Sequence, residues 1–141
     1  MNYNLLKLEN QLCFPLYACS KEIIRKYKPF LDPLGLTYTQ YITLLALWEE
    51  DNLTVKALGE KLYLDSGTLT PLLKKMETQK LIKRVRSADD ERNVYIKLTE
   101  EGRVLKDKAA AVPEQIGKCI SLSQEEVIFL HQTLYKILNQ F

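Results

Sequence analysis

Two short apolar helical segments joined by a tight turn, then two strand-like segments around a charged tip, predict a mainly α chain carrying a winged helix-turn-helix. Longer helical patterns before and after this unit predict terminal helices that form a dimerisation region. With 141 residues, 46% hydrophobic and 27% charged, the chain has the length and composition of a single folded domain. About 1–34 and 99–141 are expected to be the dimerisation helices, and about 37–98 the winged unit.

The N-terminal pattern comes first. Leu5, Leu8, Leu12, Leu16, Ile23 and Tyr27 fall close to the helical period, so the opening stretch reads as a helix. Pro15 removes a donor and presses on the carbonyl of Gln11, so this helix should kink or restart nearby. Pro29, Pro33 and Gly35 are expected to end it. Thr37 or Thr39 caps the next helix, through Trp48, and Thr54 caps a short one to about Tyr63. Asp65-Ser66-Gly67 is a further cap signal, with Ser66 the expected cap. The helix it opens runs from Thr68 to about Gln79, with Pro71 in its first turn.

The period then changes. Leu81–Arg86 and Asn93–Leu98 read as a two-stranded hairpin around the polar tip Ser87-Ala88-Asp89-Asp90-Glu91-Arg92. Thr99, Glu100 and Glu101 open a long helix that should end or bend near Pro113 and Gly117. Ser123-Gln124-Glu125-Glu126 is a capping box. Val127, Leu130, Leu134, Ile137 and Phe141 keep three-four spacing to the last residue, a stripe that needs either its own core or a second copy to pack on.

Composition excludes several classes. No apolar run approaches the ~18 residues of a membrane span, and the N-terminus lacks the pattern of a signal peptide. Three scattered cysteines suit a cytoplasmic, reducing compartment better than a disulfide scaffold. A lone histidine, His131, and dispersed cysteines offer no metal cluster, and no cofactor is expected. Net charge is only +2, but Lys74 to Arg86 holds six basic residues against the single acid Glu77. That block suggests an edge facing a polyanion, or else a merely solvated helix end.

Helix, turn, helix and basic hairpin in that order point to double-stranded DNA. The second helix would enter the major groove with Ser66, Thr68 and Thr70 at its start and Lys74 and Lys75 a turn further on. Arg92 at the hairpin tip would reach a neighbouring minor groove, with Asp90 beside it in the DNA-binding set, although the two could form only a local ion pair. Lys83, Arg84 and Arg86 would hold phosphates and set salt dependence.

The stretch LDSGTLTPLLKKME, the wing sequence RSADDERNV and the following LTEEG resemble the MarR family of dimeric transcription regulators. LENQLCFPLYACS and LGLTYTQY are similar to its organic hydroperoxide-sensing, thiol-based branch, and the likeness covers nearly the whole chain. The resemblance implies a repressor of promoter DNA with a pseudo-palindromic operator, and makes Cys13 the reactive cysteine. Tyr27 and Tyr38 match tyrosines that engage it from the other subunit, and Arg92 matches the wing arginine. Cys119 lies where a resolving cysteine of the partner is expected; members without one finish as mixed disulfides with low-molecular-weight thiols. Pro15 departs from the branch, which usually has an ordinary helix former there.

Chemistry and geometry are consistent with that assignment. A thiol senses oxidants as its anion, and phenol O–H groups from Tyr17, Tyr27 and Tyr38 could hold it. Along one helix Cys13 and Tyr27 are ~21 Å apart, so only the partner's Tyr27 could reach Cys13. Cys13 and Cys19 differ by ~9 Å of rise, too far for a disulfide, and Cys19 reads as a small buried residue. Two competing readings are a thiol peroxidase, which leaves the basic wing unexplained, and a regulator triggered by a small aromatic ligand.

Overall fold

The computed structural model describes residues 1–90 and 92–141, so Glu91 in the expected hairpin tip lies outside the described residues. The N-terminal pattern does not form one helix. Asn4–Leu6 and Leu8–Asn10 are single 3-10 turns, tied by side-chain amides. Asn10 Nδ2 donates to the Asn4 carbonyl at 2.6 Å, and Gln11 Nε2 donates to those of Leu5 at 2.6 Å and Lys7 at 2.9 Å. Helix α1 then spans Cys13–Leu31, with Pro15 in its first turn, where a missing N–H breaks no intrahelical bond. The expected interruption at Pro15 is thus a restart.

Pro29 does not end α1, contrary to expectation; the helix continues to Leu31. The carbonyl that Pro29 leaves without a donor belongs to Arg25, an exposed residue in the helix's last turns where water reaches it. A 3-10 turn, Asp32–Leu34, follows, and Gly35 makes the reversal at φ +70°, a left-handed conformation that glycine adopts without strain. Helix α2, Tyr38–Glu49, opens on a capping box in which Thr37 and Gln40 exchange side-chain and backbone hydrogen bonds of 3.3 and 3.1 Å.

Thr54 caps α3, Val55–Leu62, accepting from the Ala57 N–H at 3.0 Å. Helix α4 spans Ser66–Thr78 and corrects two expectations. Its cap is Asp65, whose Oδ1 accepts from the Thr68 N–H at 2.8 Å, and Ser66 is the first helical residue. Because α4 opens two residues earlier than expected, Pro71 sits in its second turn, where the Gly67 carbonyl loses a donor. Three antiparallel strands, β1 (Leu53–Thr54), β2 (Ile82–Arg86) and β3 (Val94–Leu98), pair in the order β1-β3-β2. The hairpin is as expected; β1, which has no strand pattern of its own in the sequence, adds a short edge through Leu53 opposite Ile96.

Thr99 caps α5, Glu100–Ala109, and a turn at Ala110 and Ala111 separates it from α6, Val112–Cys119, which carries Pro113 in its first turn. The Ser123–Glu126 capping box opens α7, Gln124–Leu138. Leu44, Leu47, Leu58, Leu73, Met76 and Ile96 form the centre of a core shared by α2, α3, α4 and the sheet, which Leu31 and Val112 extend toward α1 and α6. The two chain ends take little part in it. Helix α7 buries none of its residues, Phe129 is 72% exposed, and Leu5 in the N-terminal arm is 84% exposed. Among the described residues no helix is long and apolar enough to cross a membrane.

Candidate nucleic-acid interface and thiol site

Helix α4 is split by its three-four spacing. Leu69, Leu73 and Met76 are buried, which turns Ser66, Thr68, Thr70, Lys74 and Lys75 outward, all exposed. Ser66, freed of the capping role, has its hydroxyl available at the helix start. In β2, Ile82 alone points into the core, and Lys83, Arg84 and Arg86 are exposed. Arg84 is anchored: its Nε lies 3.2 Å from Glu77 Oε1 and its backbone N–H donates to Glu77 Oε2 at 3.2 Å. The guanidinium is therefore held against α4, tying the wing to that helix at this point.

The hairpin tip is held by its own polar groups. Ser87 N–H donates to the Asn93 carbonyl at 2.9 Å, and Asp90 Oδ1 accepts from the Arg92 N–H at 3.0 Å. The expected Asp90–Arg92 ion pair is present at 3.3 Å, yet the Arg92 side chain is 92% exposed. Such a pair contributes little stability and leaves the guanidinium able to turn to another anion. The outward face of α4 and the wing thus form one polar, cationic surface.

Tyr27 of α1 and Tyr38 of α2 come together, with ring centroids 4.9 Å apart. Tyr41, one turn further along α2, closes the group at 5.8 Å from Tyr27 and 6.4 Å from Tyr38. The sequence reading did not single out Tyr41, although its three-residue spacing from Tyr38 was the available signal. Burial, then repulsion from Tyr38 and Tyr41, pushes the Tyr27 phenol up to about 12. Burial likewise raises Tyr38 and Tyr41, the latter with a smaller contribution from Tyr38. The three phenols therefore keep their protons, and hence their donor capacity, across the physiological range.

The thiols stand apart from this cluster. Cys13 is the first residue of α1 and is exposed; Tyr27 is on the same helix ~21 Å further along, so the chain's own Tyr27 cannot reach it. Tyr17, one turn from Cys13, is exposed with Lys21 Nζ 5.2 Å from its ring centroid. Cys119 ends α6 and is exposed, its Sγ donating to the Gln115 carbonyl at 3.5 Å. Cys19 is exposed as well, against the buried position expected, because its face of α1 is not covered by this chain. All three cysteines are free, and no group of three potential metal ligands occurs among the described residues.

Comparisons with known proteins place the whole chain. The family of SarA/Rot transcriptional regulators matches residues 25–109. The organic hydroperoxide resistance transcriptional regulator of Bacillus subtilis is 56% identical over 134 residues, 95% of this chain and 91% of that protein. Overoxidised AbfR bound to DNA, from a protein of Staphylococcus epidermidis, superposes with a TM-score of 0.79 at 36% identity, over 99% of this chain and 98% of that one. AbfR with its disulfide formed gives a TM-score of 0.66 at 38% identity, over 94% and 93% of the two chains. The chain belongs to the SarA/Rot, MarR-type family of transcriptional regulators, and within it to the organic hydroperoxide resistance branch.

Proposed function

We propose that two copies of this chain hold a pseudo-palindromic promoter as a repressor and let it go when an organic hydroperoxide oxidises Cys13. One observation carries this reading. A cluster of three protonated phenols, Tyr41 buried and Tyr27 and Tyr38 half-buried, gathers about the far end of α1 from an exposed thiol, so the donors and their acceptor meet only across a dimer. The uncovered apolar faces of α7 and of the N-terminal arm support such a dimer, with 1–34 and 99–141 as its helices and 37–98 as the DNA-reading unit.

The chemistry balances as two steps. The Cys13 thiolate attacks one oxygen of the O–O bond, giving a sulfenic acid and an alkoxide that takes a proton to leave as the alcohol. The sulfenic sulfur is then attacked by the Cys119 thiol of the partner, forming the disulfide and releasing water. A low-molecular-weight thiol can take the place of Cys119 with the same balance. Phenols of the partner steady the thiolate, and Leu12, Phe14 and Leu16, all exposed beside Cys13, favour an organic hydroperoxide. A reducing cytoplasm would return the disulfide to thiols.

That the AbfR structures include an overoxidised form on DNA argues that oxidation of the sulfur is not by itself the releasing event. In this chain the cross-link does that work, by moving α1 and so the spacing of the two copies of α4. The test is DNA retardation with and without cumene hydroperoxide. Cys13→Ser should bind promoter DNA as wild type does and fail to release it. Cys119→Ser should lose the dimer-sized band on a non-reducing gel. Release by peroxide in the Cys13→Ser protein would overturn the reading in favour of a ligand-triggered regulator.

A further inference from the structure

Between α4 and the wing the surface sinks into an open concavity of about 260 Å³. Thr70 of α4, Arg84 of β2, Arg92 of the hairpin tip and Lys56 at the start of α3 all line it, over an apolar floor that includes Leu73. Three cations thus converge on one hollow from three separate elements. Arg84 is fixed there by Glu77, whereas Lys56 is exposed in the first turn of α3. In that first turn Thr54 Oγ1 takes the Ala57 N–H, and the N–H groups ahead of it, which no intrahelical carbonyl accepts, favour an anion.

The shape of a duplex gives this hollow an occupant. A major groove and the minor groove beside it are separated by one sugar-phosphate ridge. If α4 lies in the first and Arg92 reaches the second, the ridge must cross between them, over the concavity. We propose that this hollow seats a backbone phosphate of the bound DNA, with Lys56 as its main mobile cation and Arg84 as its fixed one. Lys56 then contributes sequence-independent affinity and sets the depth at which α4 enters the groove. The proposal rests on the DNA-binding part of the proposed function and not on the thiol chemistry.

The experiment is fluorescence anisotropy of reduced protein on a random-sequence 30-base-pair duplex and on its promoter, between 50 and 200 mM salt, salt concentrations over which phosphate contacts weaken by roughly 3- to 4-fold each. Lys56→Gln should lower affinity about equally on both duplexes and make the slope of log K against log salt shallower by about 0.9, the signature of one lost phosphate contact. Lys61→Gln, on the same helix but paired with Glu49, should leave the slope unchanged. Circular dichroism melting confirms that both variants fold, and peroxide-driven release should persist in both. An unaltered slope in Lys56→Gln, with wild type binding normally, overturns the phosphate seat alone. A loss confined to the promoter overturns it too, as base reading. Failure of wild type to bind either duplex overturns both the seat and the repressor reading.

Discussion

Tyr27 shows how a single half-buried phenol links folding to pH. Its proton is held up to about 12, above the ordinary value of 10.0, chiefly because burial penalises the phenolate. The unfolded chain therefore gives up this proton more easily than the folded one. The stability present below pH 10 should decline as pH rises from about 10 to about 12. Tyr27→Phe should flatten that part of a plot of melting temperature against pH, and an equally steep decline in the variant would refute the assignment. Gly102 offers a second residue-scale test. A Cβ there would meet the Leu81 carbonyl, and the Gly102 carbonyl already accepts the Trp48 indole N–H at 2.8 Å. Gly102→Ala should destabilise the fold by about 1–3 kcal/mol in urea denaturation, because backbone has to move. At this scale Cys13, Tyr27 and Tyr38 stand out in the sequence through their likeness to a known branch. Tyr41 was not, since an aromatic inside an apolar helix looks the same whether it only fills the core or also stacks on two phenols.

At the scale of elements, the caps carry most of what could be read in advance. Thr37, Thr54, Thr99 and Ser123 each open the expected helix, since a side-chain oxygen satisfies an otherwise orphaned N–H wherever it occurs. The start of α4 escaped because Asp65 and Ser66 are both competent caps. The backbone decides between them: Asp65 is extended, at φ −76° and ψ 166°, and Ser66 is already helical. Asp65→Ala should therefore cost about 1 kcal/mol of stability. Ser66→Ala should leave the melting temperature alone and weaken DNA binding, and the reverse pattern would restore Ser66 as the cap. Strand β1 was missed for another reason: two residues cannot display alternation, and their pairing with β3 depends on a strand some forty residues away.

For the whole molecule, the feature that matters is the mismatch between a well-filled centre and uncovered ends. The sequence showed that the stripe on α7 needed a surface to pack on, but not whether the chain itself supplied one. It does not: the core residues come from α1 to α4, the sheet and the helices up to α6, and α7 remains apolar and exposed. A charge placed in that stripe should be tolerated by a single chain and not by a pair. Leu130→Asp should give a folded monomer in analytical ultracentrifugation, with promoter affinity reduced at least tenfold because two half-sites are no longer bound together. A dimer that persists in this variant would move the subunit contact elsewhere.

The bond between Trp48 and Gly102 has one more use. This chain has a single tryptophan, and its indole bridges α2 to α5, the seam between the helix-turn-helix core and the C-terminal helices. Intrinsic fluorescence excited at the indole band is consequently a local reporter that needs no label. If adding peroxide prises the seam apart, water gains access to the ring and the emission shifts to the red. If the emission stays put while DNA is lost, core and α5 travel as one rigid piece and the bending happens nearer the chain termini.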